Sequence, residues 1–520
     1  MALGAARTQA RFDDPRQLLG PRLRGVYRFL ADHGGRVFPD DYFADVYKDS
    51  RRGRPTVPAR VLATVMILQA HEGLSDQEAV DRLECDLRWQ AAAGVHSGYE
   101  GFHPTVLVGM RNRLRASERP RRLVSDTKQV AAEAGVMGVR ARVLDSTPLY
   151  DAVATQDTVT QLRAGIRKLL MLLAGTNLGA RVRLALQRHD NYLSPGKPPC
   201  DWDDPGARNA LVDALVRDAQ IAVEVMAGQQ CSAAVAAAVT LLAELAGQDI
   251  EVAEDGTFRM ARAVAKDRII STVDVQARHG HKSQDRRFDG YKTHLSIDPD
   301  SELVDETTVT AANAPDQDAV DDLLAPVAHL HEKPDVFGDS AYAGGDNLSH
   351  LEDQGFTVRA KVPAAHGRDG RYAKDEFGID LEAETVTCPA GQVAPIRWGG
   401  DGGGRASFGP ACGSCPLAER CTTNCSGRTI SIHPHEQILQ NHKAEQQTAE
   451  WQQAYTATRP KVERKIAHFV CRVWGGRKAR ARGKERIRTD VDTRAAAINW
   501  SRLDVLGVHW NGAAWAAAGP

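Results

Sequence analysis

The sequence predicts an α/β protein built on one mixed sheet with flanking helices, behind an all-helical N-terminal domain over residues 1–135. Three observations predict this. Apolar residues recur at helical spacing in VPARVLATVMILQAHEGLSDQEAVDRL and TVLVGMRNRLRASERPRRL. Short apolar runs that end in an aspartate occur at VRARVLD (139–145) and PDVFGD (334–339), with a hairpin pattern between them. The sheet region, 136–510, is broken by a helical insertion at 155–265 and by a cysteine-rich insertion at 385–430, leaving 511–520 as a tail.

Composition bounds the function. A hydrophobic content of 42% and a charged content of 26% are those of an ordinary globular protein. No stretch approaches the roughly 18–20 apolar residues of a membrane span, and the start, MALGAARTQARFDDPRQ, has no apolar signal core, so a cytoplasmic protein without membrane contact is expected. The net charge of −1 conceals clustering, since Arg459 to Arg488 holds twelve Lys/Arg against two Glu.

In chain order, Pro58 and Ser75 are expected to start helices, and Gly73 and Gly94 to stop them. The helix, the break EGLS and the next helix read either as a DNA-docking helix-turn-helix or as two helices packed on each other. The group Arg111, Arg113, Arg115, Arg119, Arg121 and Arg122 favours a nucleic-acid face, because arginines neutralise phosphates. VRARVLDSTPLYD then reads as a strand that ends in Asp145 at a turn. After the Ala/Leu-rich insertion, RIISTVDVQAR and the pair GYKTHLSID and SELVDETTV read as strands, the last two joined by a DPDS turn. Residues 316–330 read as a helix, 334–339 as a buried strand, NLSHLEDQG as a helix and FTVRAKVP as a strand. GGDGGGRAS (399–407) reads as a flexible loop. In the final helical segment Val462, Ile466, Phe469 and Val473 share one face, with Glu463 at the edge of that stripe.

Asp339, at a strand-to-turn junction, is on local grounds either a helix cap or a site residue. The company it keeps favours a site. Asp145 and Asp339 follow similar strands, and Glu463 lies one helical turn after Arg459. Three carboxylates brought together suit hard cations such as Mg²⁺, two of which form the clamp used for in-line phosphoryl displacement. A basic flank beside such a site points to a polyanionic substrate. The run GGRKARARGKERIR (475–488), containing Arg477, Lys478, Arg480, Arg482 and Lys484, reads as a DNA-backbone contact. Lys282, Arg286, Arg287 and Lys292 of the hairpin are expected to extend that surface, while Tyr291 and His294 are expected to pack the sheet. Glu485, inside the basic run, is the rival third acid and reads as a solvated ion-pair partner. Of nine cysteines, Cys388, Cys412, Cys415, Cys421 and Cys425 cluster with one CxxC among them, which favours a structural Zn²⁺ over disulfides.

These motifs together resemble a known family. Residues 35–115 resemble the helical N-terminal domain of bacterial insertion-sequence transposases. VLDSTPL, SQDRRFDGYKTHLSID, TVTAAN followed by Asp316, VFGDSAYAG, RPKVERKIAHF and AAAINWSRL resemble their DDE catalytic domain. The resemblance implies an RNase H-like fold, with Asp145, Asp339 and Glu463 as catalytic acids holding two Mg²⁺ or Mn²⁺ ions. It also implies zinc on Cys388, Cys412, Cys415 and Cys421, with Cys425 as alternate. The implied activity is cleavage of double-stranded DNA at the element's terminal inverted repeats and strand transfer into target DNA, by a homodimer at the nucleoid. The family's Tyr-x2-Arg-x3-Glu-x6-Lys signature is met by Arg459 and Glu463. Its tyrosine position holds Thr456, with Tyr455 one residue early, and its lysine position holds Val470, with Arg472 two beyond. Arg459, Arg472, Arg111 and Arg113 join the basic run as expected DNA contacts. The rivals are a transposase-derived DNA-binding protein that no longer cuts, and a nuclease of the same fold that does not join.

Overall fold

The structure, a computed structural model, describes residues 14–47, 56–151, 153–194, 196–283, 286–471 and 476–518. Arg472 and Val473 lie outside the described residues. Seven helices come first: α1 (Pro15–Leu19), α2 (Gly25–Val37), α3 (Ala59–Glu72), α4 (Asp76–Cys85), α5 (Leu87–Ala93), α6 (Thr105–Arg115) and α7 (Arg122–Glu133). Their ends follow the expected chemistry. Gly73 and Gly94 adopt the left-handed conformation at φ 66° and 68° and close α3 and α5. Ser75 and Glu78 form a reciprocal capping box that starts α4.

The central sheet is mixed. Strand β1 (Ala141–Tyr150) pairs antiparallel with β5 (Arg286–Ile297), whose other edge carries β4 (Arg278–Ser283) and β6 (Val304–Ala311). On its opposite side β1 pairs parallel with β7 (Asp335–Gly338), and β7 pairs parallel with β8 (Val358–Ala360). The insertion after β1 comprises α8 (Thr158–Leu172), α9 (Asn177–Ala185), α10 (Pro205–Met226) and α11 (Ala233–Gly247), with the small hairpin β2 (Ile250–Val252) and β3 (Phe258–Met260). It has an apolar core of its own around Leu162, Leu215 and Leu242. Between β7 and β8 lies α13 (Gly345–Asp353).

The cysteine-rich segment sits beside a five-stranded antiparallel sheet of β9 (Gly378–Asp380), β10 (Thr385–Thr387), β11 (Val393–Trp398), β12 (Gly404–Ser407) and β13 (Thr429–Ile432), with the short α14 (Ala418–Cys421). Helices α15 (Glu436–Glu445), α16 (Ala449–Val470) and α17 (Lys484–Val505) and the hairpin β14 (Val508–Trp510) and β15 (Trp515–Ala517) complete the chain. No helix among the described residues is long and apolar enough to cross a membrane.

Four expectations are corrected. β1 does not end at Asp145 but runs on to Tyr150, because β5 pairs with it throughout from Val143 to Tyr150. Residues 268–277 form no strand, since side chains of the helical insertion take their backbone groups: Gln161 donates to the Ile269 carbonyl at 2.7 Å and Thr272 N donates to Gln156 Oε1 at 2.8 Å. The helix expected over 316–330 is a 3₁₀ turn, Asp316–Ala319, followed by α12 (Val320–Leu324); Pro326, which lacks an N–H, stands just beyond. Half of the glycine-rich loop is strand β12, held between β11 and β13 by the partners Ala406↔Ile396 and Ala406↔Ile430.

A single apolar cluster runs from the N-terminal helices through α17 into the sheet, joining Phe29, Phe38 and Trp500 to Val143, Leu295 and Val462. Asn499 of α17 pins three elements there. Its side chain accepts from Val304 N at 2.8 Å and donates to the Val304 carbonyl at 2.8 Å and to Thr127 Oγ1 at 2.9 Å. Asn499→Ala leaves the two backbone groups of Val304 buried without partners, so unfolding in urea should show a loss of about 2–4 kcal/mol. A loss below about 0.5 kcal/mol, the range of ordinary surface changes, would contradict this account.

Candidate active site

The acids are positioned by strand register. The parallel pairing of β1 with β7 ends at Val143↔Phe337, and both Asp145 and Asp339 stand two residues farther on. They therefore arrive level, at the C-terminal end of the parallel pair. From Ser146 to Leu149 the β7-facing edge of β1 has no strand partner among the described residues, and such an edge is where a strand tolerates a proline such as Pro148.

Asp145 is largely buried, with 14% of its side chain exposed. Its Oδ2 accepts from Arg459 Nη2 at 3.1 Å and its Oδ1 from Ser146 N at 2.8 Å. Burial first, and the neighbouring Asp339 charge in addition, push its carboxyl up to about 6 against the opposing pull of Arg459 and the Ser146 N–H. Asp339 does cap its turn, its Oδ1 accepting from Ala341 N at 2.9 Å. The two local readings of this residue are compatible: one oxygen holds the turn while the carboxylate bears on Asp145.

Helix α16 crosses this edge. Arg459 is buried and also donates to the Leu144 carbonyl at 2.9 Å, so it serves Asp145 and neither Glu463 nor an open phosphate position. Glu463, one turn along, is exposed instead of resting at the edge of the apolar stripe. Tyr455, displaced by one residue from the expected tyrosine position, stacks on Trp451 with ring centroids 4.6 Å apart and donates to the Gly338 carbonyl at 3.1 Å. Burial raises its phenol, and the charges of Asp339, Asp145 and Glu463 add to that rise while Arg459 opposes it. Tyr455 thus stands within electrostatic reach of all three acids.

A second polar group backs the pair, and the sequence reading missed it. Lys292 is not a free surface cation. It pairs with Asp316 at 2.7 Å and donates to the Ala314 carbonyl at 2.8 Å, while Ser146, next to Asp145, donates to the other oxygen of Asp316. Tyr342 is buried alongside, its phenol raised by burial and then by Asp316, Asp145 and Asp339. The motif TVTAAN followed by Asp316 was the only sequence signal for this group. Among the described residues no three His, Cys, Asp or Glu side chains stand ready to hold a metal ion. In kind, two carboxylates at one strand edge, the Asp145 carboxyl raised by burial first and by the Asp339 charge in addition, suit a divalent cation.

The basic run is bound to the same sheet. Tyr150, the last residue of β1, donates its N–H to the Arg477 carbonyl at 2.7 Å and accepts from Ala479 N at 2.7 Å. Five strand residues, roughly 17 Å, separate this anchor from Asp145. Lys478, Arg480, Arg482 and Lys484 are exposed. Arg477, Lys478, Arg480, Arg482 and Lys484 form no ion pair among the described residues.

Two family profiles match the chain: that described as transposase DDE domain over residues 387–504, and that described as transposase domain DUF772 over residues 26–113. These two matches support an insertion-sequence DDE transposase. No curated protein and no solved structure gives a match. The first profile includes Arg459, Glu463 and the cysteine segment but stops short of Asp339 and Asp145.

The N-terminal arginines are mostly spent internally. Arg111 pairs with Asp76 at 3.0 Å and Gln69 at 2.7 Å. Arg113 lies over the Tyr47 ring at 4.7 Å. Arg119 pairs with Asp126, Arg121 with Asp492 and Glu306, and the buried Arg122 with Asp45. The expected DNA face at Arg111 and Arg113 is therefore not an open one. The exposed side of α4 carries Glu78, Asp81 and Glu84 against Arg82, a charge pattern that repels a phosphate backbone and favours two packed helices over a DNA-reading helix-turn-helix. Tyr291 and His294 are fully buried and pack the sheet, as expected. Glu485 is exposed at the start of α17, away from the aspartates.

Cys388, Cys412, Cys415 and Cys421 line one small cavity beside the five-stranded sheet, while Cys425 is exposed and outside it. Burial raises the Cys421 thiol, and the nearby Cys412, Cys388 and Cys415 add to the rise. Thiols are the donor type that zinc takes in closed structural sites, but among the described residues these four do not stand as a ready metal group.

The raised Asp145 carboxyl has a stability consequence. An unfolded aspartate titrates near 3.9, so the folded chain holds this proton more tightly, and stability falls as pH rises from about 4 through about 6, by on the order of 3 kcal/mol. Asp145→Asn keeps an oxygen for Arg459 and removes that fall. In metal-free protein the variant's unfolding free energy relative to the parent should rise between about pH 4 and pH 7; a flat difference would contradict the assigned environment.

Proposed function

We propose that this transposase cleaves DNA at the ends of its element and joins the freed 3′-hydroxyl to target DNA, using Asp145, Asp339 and Glu463 on an RNase H-like sheet. The observation that carries the proposal is the shared register of Asp145 and Asp339 beyond Val143↔Phe337, with Tyr455 of α16 in reach of both aspartates and of Glu463. The strand arrangement, antiparallel β6, β5 and β1 continued by parallel β7 and β8, supports the RNase H-like reading.

Asp145, Asp339 and Glu463 would hold Mg²⁺ or Mn²⁺. Divalent ions there supply activation of the attacking water or 3′-hydroxyl and stabilisation of the leaving oxygen. The chain's own residues do the positioning. Arg459 keeps Asp145 aimed across the strand edge, the Ala341 N–H fixes one oxygen of Asp339, and Tyr455 braces the Gly338 carbonyl just before it. The exposed run from Arg477 to Lys484 holds backbone phosphates, which supplies affinity without sequence information. Cys388, Cys412, Cys415 and Cys421 would hold a structural Zn²⁺, and two copies of the chain would hold the two element ends together.

Asp339→Ala should abolish Mg²⁺-dependent nicking of element-end DNA, a drop of at least about 10³-fold, while the same duplex still binds with a dissociation constant within about threefold of the parent. Nicking that survives in the variant rules out Asp339 as a metal ligand. For the cysteine site, metal analysis of Cys412→Ser/Cys415→Ser should show one equivalent of zinc fewer than the parent protein. An unchanged metal content would remove the zinc assignment and leave the rest of the account standing.

A further inference from the structure

A cavity of about 430 Å³ opens between the N-terminal helices and α17. Arg111 and Arg115 of α6 enter it from one side, Arg480 of the basic run and Arg486 of α17 from the other. The two acids on its wall are already engaged: Asp76 pairs with Arg111 at 3.0 Å, and Asp490 pairs with Arg494 at 2.8 Å. Arg115, Arg480 and Arg486 form no ion pair among the described residues. Arg115 is also the one member of the arginine group in α6 and α7 that neither pairs with an acid nor lies over an aromatic ring there. Its neighbour Asn112 and, for Arg480, the Leu74 carbonyl are neutral acceptors that leave the positive charge uncompensated. Burial and then Arg486 lower the Arg115 guanidinium, with Glu485 opposing. Guanidiniums crowded in this way are relieved by an anion with several acceptor oxygens, and the planar donor fork of arginine matches a phosphate group.

We propose that this cavity is a phosphate site that takes a backbone phosphodiester of bound DNA, gripped jointly by Arg115 and Arg486 with Arg480 at its mouth. The assignment rests on the DNA-handling reading above and deepens it. The run from Arg477 leads from the end of β1 to Arg480, so a strand lying along the run reaches the cavity next. The site joins the N-terminal helices to the C-terminal helix, so DNA engagement bears on both.

Arginine labelling of the full chain with phenylglyoxal, read by peptide mass spectrometry, tests it. With saturating element-end duplex, labelling of Arg115, Arg480 and Arg486 should fall at least fivefold, while Arg397 in the five-stranded sheet labels as before. A second arm uses inorganic phosphate alone: protection of the same three residues shows that the cavity takes a free phosphate group as well, and protection by duplex alone assigns it to DNA. In binding titrations against salt, Arg115→Ala/Arg486→Ala should lower the log–log slope by roughly 0.9, the value for one phosphate, with an unchanged thermal unfolding profile. Unprotected arginines on a protein that demonstrably binds and cuts the duplex overturn the cavity and leave the proposed function intact. Protection by phosphate on a protein that fails to bind duplex keeps the anion site and overturns its assignment to DNA. Protection by neither overturns the site.

Discussion

The parallel register between β1 and β7 is the constraint on which the rest of the candidate site depends. A strand pair fixes its side chains to a period of two, so a slip of one residue would turn Asp145 or Asp339 to the opposite face. With Val143 opposite Phe337, both aspartates leave the sheet at the same level and on neighbouring strands. Burial disfavours the charged form of Asp145, and the Asp339 charge adds to this, which is why Asp145 holds its proton more tightly than a free aspartate does. The arrangement is costly to the apo protein and suits one that gains a cation.

Two helices fix that edge in place. α16 contributes Arg459 to Asp145 and Tyr455 to Gly338, so its packing sets how far apart the strand ends lie. α17 is buried against the N-terminal helices and the sheet through Trp500 and Asn499, and its leading loop is hydrogen-bonded to Tyr150 at the end of β1. Asp145 and the Tyr150 anchor of the basic run are thus two points on one continuous strand.

Much of this was legible in the sequence where a local rule decides. Gly73, Ser75 and Gly94 mark helix ends because left-handed glycine and the capping box are local chemistry. The hairpin of β5 and β6 follows from alternation, and the arrival of Asp145 and Asp339 at neighbouring strands follows from the apolar runs that precede them. What was not legible depends on partners distant in the chain. Nothing near Arg111 or Arg122 announces that Asp76 and Asp45 consume their charge, so a row of arginines read as an open face. Lys292 gave no sign of its pairing with Asp316 across the sheet, and Asp145 read as a strand end because its continuation to Tyr150 is imposed by β5. Residues 268–277 have strand-like composition, yet their backbone groups are taken by Gln156 and Gln161 of the inserted block. In each case a tertiary partner overrode a local preference.

The most direct test of the central claim, that this edge is a DNA-cutting and joining site, is incubation of the purified protein with its own flanking inverted repeats, a target duplex and Mg²⁺, with the products resolved on a denaturing gel. The account predicts nicks at the element ends together with joined products that require Mg²⁺. A retarded complex with neither nicks nor joined strands would contradict it.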